Sequence, residues 1–152
     1  MKPETKVQIE ALKRLEKGQP VHYEKGENFT YLSVDGKSII RISYDNFFLD
    51  MAKITESSVL AKHLDVDYSW MYTLENITDI YYDKKGFEIF FCNETNHRIY
   101  ADKKIFKLLI SRDSRLYTDE TSRFMYFVRN KQVYAVMILV QFCDKEGETV
   151  AD

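Results

Sequence analysis

The segments 87–92, 123–128 and 132–142 carry apolar side chains on both faces of a strand, and this feature constrains the fold most. Their sequences are FEIFFC, RFMYFV and QVYAVMILVQF, in which bulky apolar residues occupy odd and even positions alike. Such strands need cover on both faces of a sheet. Short helices can cover one face, so a second sheet layer or another chain has to cover the other. We therefore predict helices mainly on one side and favour a homo-oligomer.

Turn and capping signals give the rest of the architecture. The pair Asp35-Gly36 predicts a two-residue hairpin turn, because both positions tolerate positive φ. Short helices are predicted from periodicity and capping residues over 3–17, after Asp45, over 55–64 and after Asp102. The stretches 65–76 and 112–121 are predicted as loops. The whole chain, 1–152, is predicted as a single α+β domain, in which an antiparallel sheet of about seven strands carries three or four short helices. Residues 143–152 are predicted as a frayed acidic tail.

Two similar segments, RISYD at 41–45 and RIYAD at 98–102, each follow a predicted hairpin and precede a predicted helix. The match indicates either an internal duplication or a common strand-to-helix junction with an N-capping Asp. Arg41 and Arg98, with Tyr44 and Tyr100 nearby, could bind a small anionic, nucleotide-like ligand beside the helix starts. The interpretation that we favour is structural, with each Arg covering apolar surface and pairing with the capping Asp.

Sequence signals for catalysis are weak. Phosphate-binding loops, dinucleotide fingerprints and nucleophile-elbow motifs are absent from the sequence, and its three His residues have no zinc-ligand spacing. Two cysteines are too few for a disulfide-built domain. Acidic and Lys residues around 79–88 could form a metal-dependent nuclease site, an alternative that we keep open. We expect no enzyme, no metal and no cofactor.

Charge is distributed unevenly along a chain whose net charge is −2. Residues 44–94 contain ten acids and four Lys, a balance of −6, while residues 97–131 contain nine Lys and Arg and four acids, a balance of +5. Such asymmetry is typical of a basic face for nucleic acid or for an acidic partner, and also of two solvated surfaces. Nucleic-acid binding therefore remains an alternative, with Tyr100, Tyr117 and Tyr126 available for stacking on bases.

The aromatic content of 14% favours action by contact. Tyr supplies large and stiff contact area at protein interfaces. We predict a non-enzymatic binding protein with a protein partner, comparable to accessory or inhibitory proteins of mobile elements. The candidate interface residues are Phe124, Tyr126, Tyr134 and Trp70. Strict alternation places Tyr134 on the same strand face as Val136. With no apolar run near 20 residues and no signal peptide at its start, the chain is expected in the cytoplasm without membrane contact.

Overall fold

One ten-stranded sheet organises the protein, as seen in a computed structural model that describes residues 1–77, 86–140, 142–143 and 149–150. Its strands are β1 (His22–Lys25), β2 (Phe29–Ser33), β3 (Ser38–Ser43), β4 (Thr55–Glu56), β5 (Tyr72–Asn76), β6 (Phe87–Cys92), β7 (His97–Asp102), β8 (Arg115–Thr118), β9 (Phe124–Arg129) and β10 (Gln132–Ile138). They lie in the order β4-β1-β2-β3-β10-β9-β8-β5-β6-β7. All neighbours are antiparallel except β1 and β4. A two-residue pair, β11 (Phe142–Cys143) and β12 (Thr149–Val150), lies outside this sheet.

The predicted α+β class and the mainly antiparallel sheet are confirmed, whereas the strand count of about seven is too low. The additional strands β4, β5 and β8 lie where the sequence predicted a helix or loops. Each of the three pairs with a strand distant in sequence, as β5 does with β8. Local signals cannot reveal such pairs, because the partner supplies the missing hydrogen bonds and packing.

Two α-helices, α1 (Pro3–Glu16) and α2 (Lys103–Leu109), pack on one face of the sheet. Both contribute to the main core, α1 through Val7 and Ala11 and α2 mainly through Phe106 and Leu109. α1 ends as predicted, because Gly18 adopts φ +74° and the backbone N–H groups of Gly18 and Gln19 bond back to the last turn. Asp102 caps α2 as predicted, its carboxylate accepting from the Ile105 N–H at 3.1 Å.

The helices predicted after Asp45 and over 55–64 do not form. In their place the chain has single 3₁₀ turns at Met51–Lys53 and Ala61–His63. The physical reason is that side chains elsewhere take the backbone groups a helix would need. Gln8 of α1 accepts from the Phe48 N–H at 2.7 Å, and the Glu24 carboxylate accepts from the N–H groups of Leu60 and Ala61 at 2.9 and 2.8 Å.

Residues 57–71, which we term the strap, cross the face of the sheet opposite the helices. They run from β4 at one edge to β5 in the far half of the sheet. Strap side chains, Leu64 and Tyr68 among them, pack against Tyr126 and Val136 of the central strands. The strap therefore covers part of the second apolar face, over the central strands. Another 3₁₀ turn, Tyr68–Trp70, ends the strap near β5.

A β-bulge changes the faces of β10. Val133 pairs with Val128, and Ala135 pairs with Phe127, so Tyr134 is the extra residue. Tyr134 consequently lies in the core on the helix side, and its predicted placement on the face of Val136 is wrong.

A repeated unit is visible in the topology, but it differs from the one that the two Arg-Ile-x-x-Asp segments suggested. α1 is followed by the meander β1-β2-β3, and α2 is followed by the meander β8-β9-β10. The order β1-β2-β3-β10-β9-β8 is symmetric about the antiparallel β3–β10 pair. Within the described part of the chain, no helix is long and apolar enough to span a membrane.

Candidate functional site

A groove of about 410 Å³ lies between the strap and the central strands. It is the most apolar of the described pockets and falls within the roughly 300–1,000 Å³ range of ligand sites. The residues that line it come from β1, β2, β3, β9, β10, the β2–β3 turn and the strap: His22, Ser33, Gly36, Lys37, Ser38, Ile39, Ser57, Val59, Leu60, His63, Phe124, Val136, Met137 and Ile138.

The rim of the groove is apolar and open. Val59 on the strap is 50% exposed, and Ile138 at the end of β10 is 46% exposed. Phe124 and Ile39 form part of the wall between the two layers and are only half-buried. The groove thus leaves apolar surface that a further molecule could bury.

The polar groups of the groove are cationic or neutral. The charged or titratable side chains in the lining are Lys37, His22 and His63, and no described lining residue is a carboxylate. His63 lies beside Phe124, with 6.4 Å between their ring centroids. Electrostatically, this arrangement is complementary to an anionic group placed next to apolar side chains.

Two local structures hold the groove in shape. The Asp35 carboxylate accepts from the N–H groups of Lys37 and Ser38 at 2.8 and 2.9 Å, which fixes the β2–β3 turn. The Lys37 carbonyl accepts from the Ile138 N–H at 2.9 Å and so holds the turn against β10. On the other side, the bonds from the strap N–H groups to Glu24 hold the strap over β1.

Arg41 and Arg98 are not brought together. Arg41 on β3 donates to the Gln132 side chain at 2.8 Å, at the start of β10. Tyr100, two residues beyond Arg98 on β7, accepts through its carbonyl from the Val140 N–H at 2.9 Å. Eight residues of extended chain separate Gln132 and Val140, which is about 25 Å. In the order of the sheet, β3 and β7 are six strands apart, so the structure places the two arginines at separate positions.

The Arg41 guanidinium lies over the Phe29 ring at 4.3 Å, and burial lowers its pKa. This is the apolar-covering role that the sequence analysis favoured. A smaller cavity of about 270 Å³ adjoins it, lined also by Tyr31, Lys62 and Asp65. Tyr44 is exposed, and its hydroxyl donates to the Gly26 carbonyl.

The four candidate interface residues occupy different environments. Phe124 lines the groove, and Tyr126 is buried beside it with a ring-centroid distance of 6.4 Å. Tyr134 is 1% exposed, so no partner can reach it without unfolding. Trp70 is 85% exposed at the end of the strap. Burial is the main cause that raises the pKa of Tyr126 above its ordinary value.

Several groove residues were not singled out from the sequence. Val59 lies in the segment predicted as a helix, and Lys37 lies in the strand predicted to follow the Asp35-Gly36 turn. The two-sided pattern of 132–142 did signal that Ile138 needs cover, without indicating from where.

The part of the chain that the structure describes contains no group of three or more His, Cys, Asp or Glu able to hold a metal ion. Asp67, which with His63 and Asp65 forms the densest group of metal-ligand residue types in the sequence, accepts from the Ser69 hydroxyl at 2.6 Å, and this bond lowers the pKa of Asp67. Most of the nuclease candidate, residues 79–85, lies outside the described part of the chain.

Comparison with known proteins gives no match to any family model, to any curated protein or to any solved structure. A function for this chain therefore has to be inferred from the geometry of its groove and of its charged surfaces.

Proposed function

We propose that this chain is a non-enzymatic binding protein whose groove receives a segment of a protein partner. The observation that carries the proposal is the open apolar rim formed by Val59 and Ile138 beside a cationic edge. The segment that fits is short, with at least one large apolar side chain and a neighbouring carboxylate. Contact of this kind is the mode of action of accessory and inhibitory proteins.

A protein segment fits the groove better than a small molecule does. A ligand that only fills the cavity leaves the half-exposed rim side chains in water. A chain that crosses the groove buries the rim as well, and apolar burial is worth about 25 cal/mol per Å². Lys37 at the turn supplies a cationic group for an acidic residue of the segment.

The polar groups in the groove support binding rather than covalent chemistry. A nucleophilic pair needs a Ser hydroxyl within hydrogen-bond reach of a basic partner such as His. Among the described groove residues, no hydrogen bond joins Ser33, Ser38 or Ser57 to His22 or His63.

Self-association, which the two-sided strands predicted, is less favoured by the fold. The strap already covers the central part of the face that a second copy was expected to bury. We therefore propose a partner of a different sequence. Light scattering on a sizing column at two concentrations checks this point, and a concentration-independent mass of 18.1 kDa is expected.

The proposal is tested with a random peptide library displayed on phage and selected on the immobilised full chain. Selected sequences are expected to combine a large apolar residue with Asp or Glu. Ile138→Asp should weaken their binding at least 30-fold in fluorescence anisotropy. The matched control is Leu12→Asp, because Leu12 is also 46% exposed but lies on α1, across the sheet. Lys37→Glu should weaken acidic peptides selectively.

Two results contradict the proposed function. One is that selected peptides bind Ile138→Asp and the wild-type chain equally. The other is that Leu12→Asp lowers their affinity as much as Ile138→Asp, which places the contact elsewhere. Circular dichroism and the melting temperature of each variant confirm that the fold is retained.

A further inference from the structure

The helix side of the protein carries a concentration of positive charge that the groove does not use. Residues 2–17 and 103–109 together contain eight Lys and Arg and three Glu, a balance of +5. Because the whole chain has a net charge of −2, all other residues together carry −7. We term α1 and α2, with their flanking lysines, the helix layer.

The fold places the lysines of the helix layer on adjoining surfaces. The Lys6 ammonium donates to the Lys107 carbonyl at 2.5 Å, so the two helices lie side by side with their basic residues adjacent. Lys6, Lys13 and Lys17 follow one another at intervals of seven and four residues, which places them on one side of α1.

Most of this charge faces solvent. Five of the eight basic residues are exposed: Lys2, Lys13, Lys17, Lys104 and Lys107. One of the three acids, Glu4, is already paired with Arg129 at 2.7 Å. The positive potential of the layer is therefore only partly offset by its own carboxylates.

We propose that the helix layer binds the phosphate backbone of double-stranded DNA. Lysines act as point charges on phosphates, and such contacts supply most of the sequence-independent affinity for a duplex. α1 has 14 residues and so spans about 21 Å, the axial length of about six base pairs.

The composition of the layer favours a duplex over other anionic partners. A single strand is bound mainly by stacking of bases on exposed aromatics, and neither α1 nor α2 presents an exposed aromatic side chain. An acidic protein interface needs buried apolar anchors, whereas on these two helices Leu12, which is 46% exposed, is the one exposed large apolar side chain.

The test measures binding of a fluorescein-labelled 20-bp duplex by anisotropy between 50 and 200 mM salt. If five lysines contact phosphates, the slope of log K against log salt is about −4.5, a loss of about 500-fold across this range. Neutralising three of them, in the triple variant Lys13→Gln, Lys104→Gln and Lys107→Gln, should reduce the slope to about −2 and the salt-dependent loss to about 10-fold.

The matched control neutralises Lys25, Lys62 and Lys131, which are exposed on β1, the strap and the β9–β10 turn. Both triple variants have a net charge of −5, three units below the −2 of the wild-type chain. The control should keep wild-type affinity within about twofold, because it changes total charge without changing the helix layer.

Three results overturn the proposal: an absence of duplex binding at 50 mM salt, an equal loss in both triple variants, or tighter binding of poly-glutamate or of a single strand than of the duplex. Unchanged circular dichroism spectra show that each variant is folded. The outcome is independent of the groove, since Ile138→Asp is expected to bind the duplex as the wild-type chain does.

Discussion

Replacing Tyr134 with Phe removes one hydroxyl group from the core and should destabilise the protein by about 2 kcal/mol. The hydroxyl donates to the carbonyl oxygen of Leu109, the last residue of α2, at 2.6 Å and lies 2.5 Å from the Ser114 hydroxyl. Without it, the buried carbonyl loses its side-chain partner, which costs about 1–3 kcal/mol. The ring itself stays, so its packing against the Arg129 guanidinium at 4.2 Å is retained.

Urea unfolding followed by circular dichroism measures this loss, and thermal unfolding should show a decrease in Tm of about 4–8 °C for a chain of this size. Tyr23→Phe is the control, because the Tyr23 hydroxyl is exposed and its hydrogen bond to the Glu56 carboxylate is long at 3.4 Å. That variant should change stability by less than about 0.5 kcal/mol. The reasoning is refuted if the two Phe variants are equally stable. If the Tyr134 hydroxyl served to bind a partner instead, Tyr134→Phe would lower partner binding and leave stability unchanged.

Two further predictions concern buried polar groups. Gln8→Leu should destabilise the protein by about 2–3 kcal/mol in urea unfolding, because the Phe48 N–H loses its acceptor. Hydrogen exchange at the Phe48 amide should also accelerate. The control variant, Lys13→Ala on the same helix, should have little effect on either measurement. Burial raises the pKa of both Tyr126 and Tyr134, so these groups ionise in the unfolded chain, near pH 10, before they ionise in the folded one. Their contribution to stability is complete below about pH 10 and is lost as pH rises further. Urea midpoints at pH 9 and 11 should show that loss, and it should be smaller in Tyr134→Phe.

Local signals in the sequence predicted those elements whose stability is mainly local. The apolar periodicity of the first residues and Gly18 predicted the bounds of α1 to within one residue, and Asp102 predicted the start of α2. The alternation in 123–128 assigned the faces of β9 correctly, with Tyr126 and Phe127 on opposite sides. The contacts and hydrogen bonds that define these elements are made by residues only a few positions apart, so the sequence pattern is enough to predict them.

Long-range polar bonds account for what the sequence could not predict. From the sequence, Gln8 is expected to be an ordinary polar residue on a helix. In the structure it is fully buried, and its side chain forms hydrogen bonds with the backbone of the loop at 46–48. Glu24 reads as a surface acid on a short strand, yet it takes two N–H groups of the strap. Neither partner can be identified before the chain is folded. The groove was missed for the same reason, since one of its walls depends on the strap position that Glu24 fixes.

The bulge in β10 connects the two surfaces to which we assign functions. By moving Tyr134 to the helix side, it frees the strap side for Val133 and Val136, and alternation then continues to Ile138 at the groove rim. On the helix side, the displaced Tyr134 bonds the last carbonyl of α2 and so anchors the helix that carries Lys104 and Lys107. A variant that weakens this anchor should therefore reduce duplex binding through the position of α2, while peptide binding in the groove is retained. Loss of both activities in Tyr134→Phe at a temperature where it remains folded would show instead that the bulge controls the whole sheet.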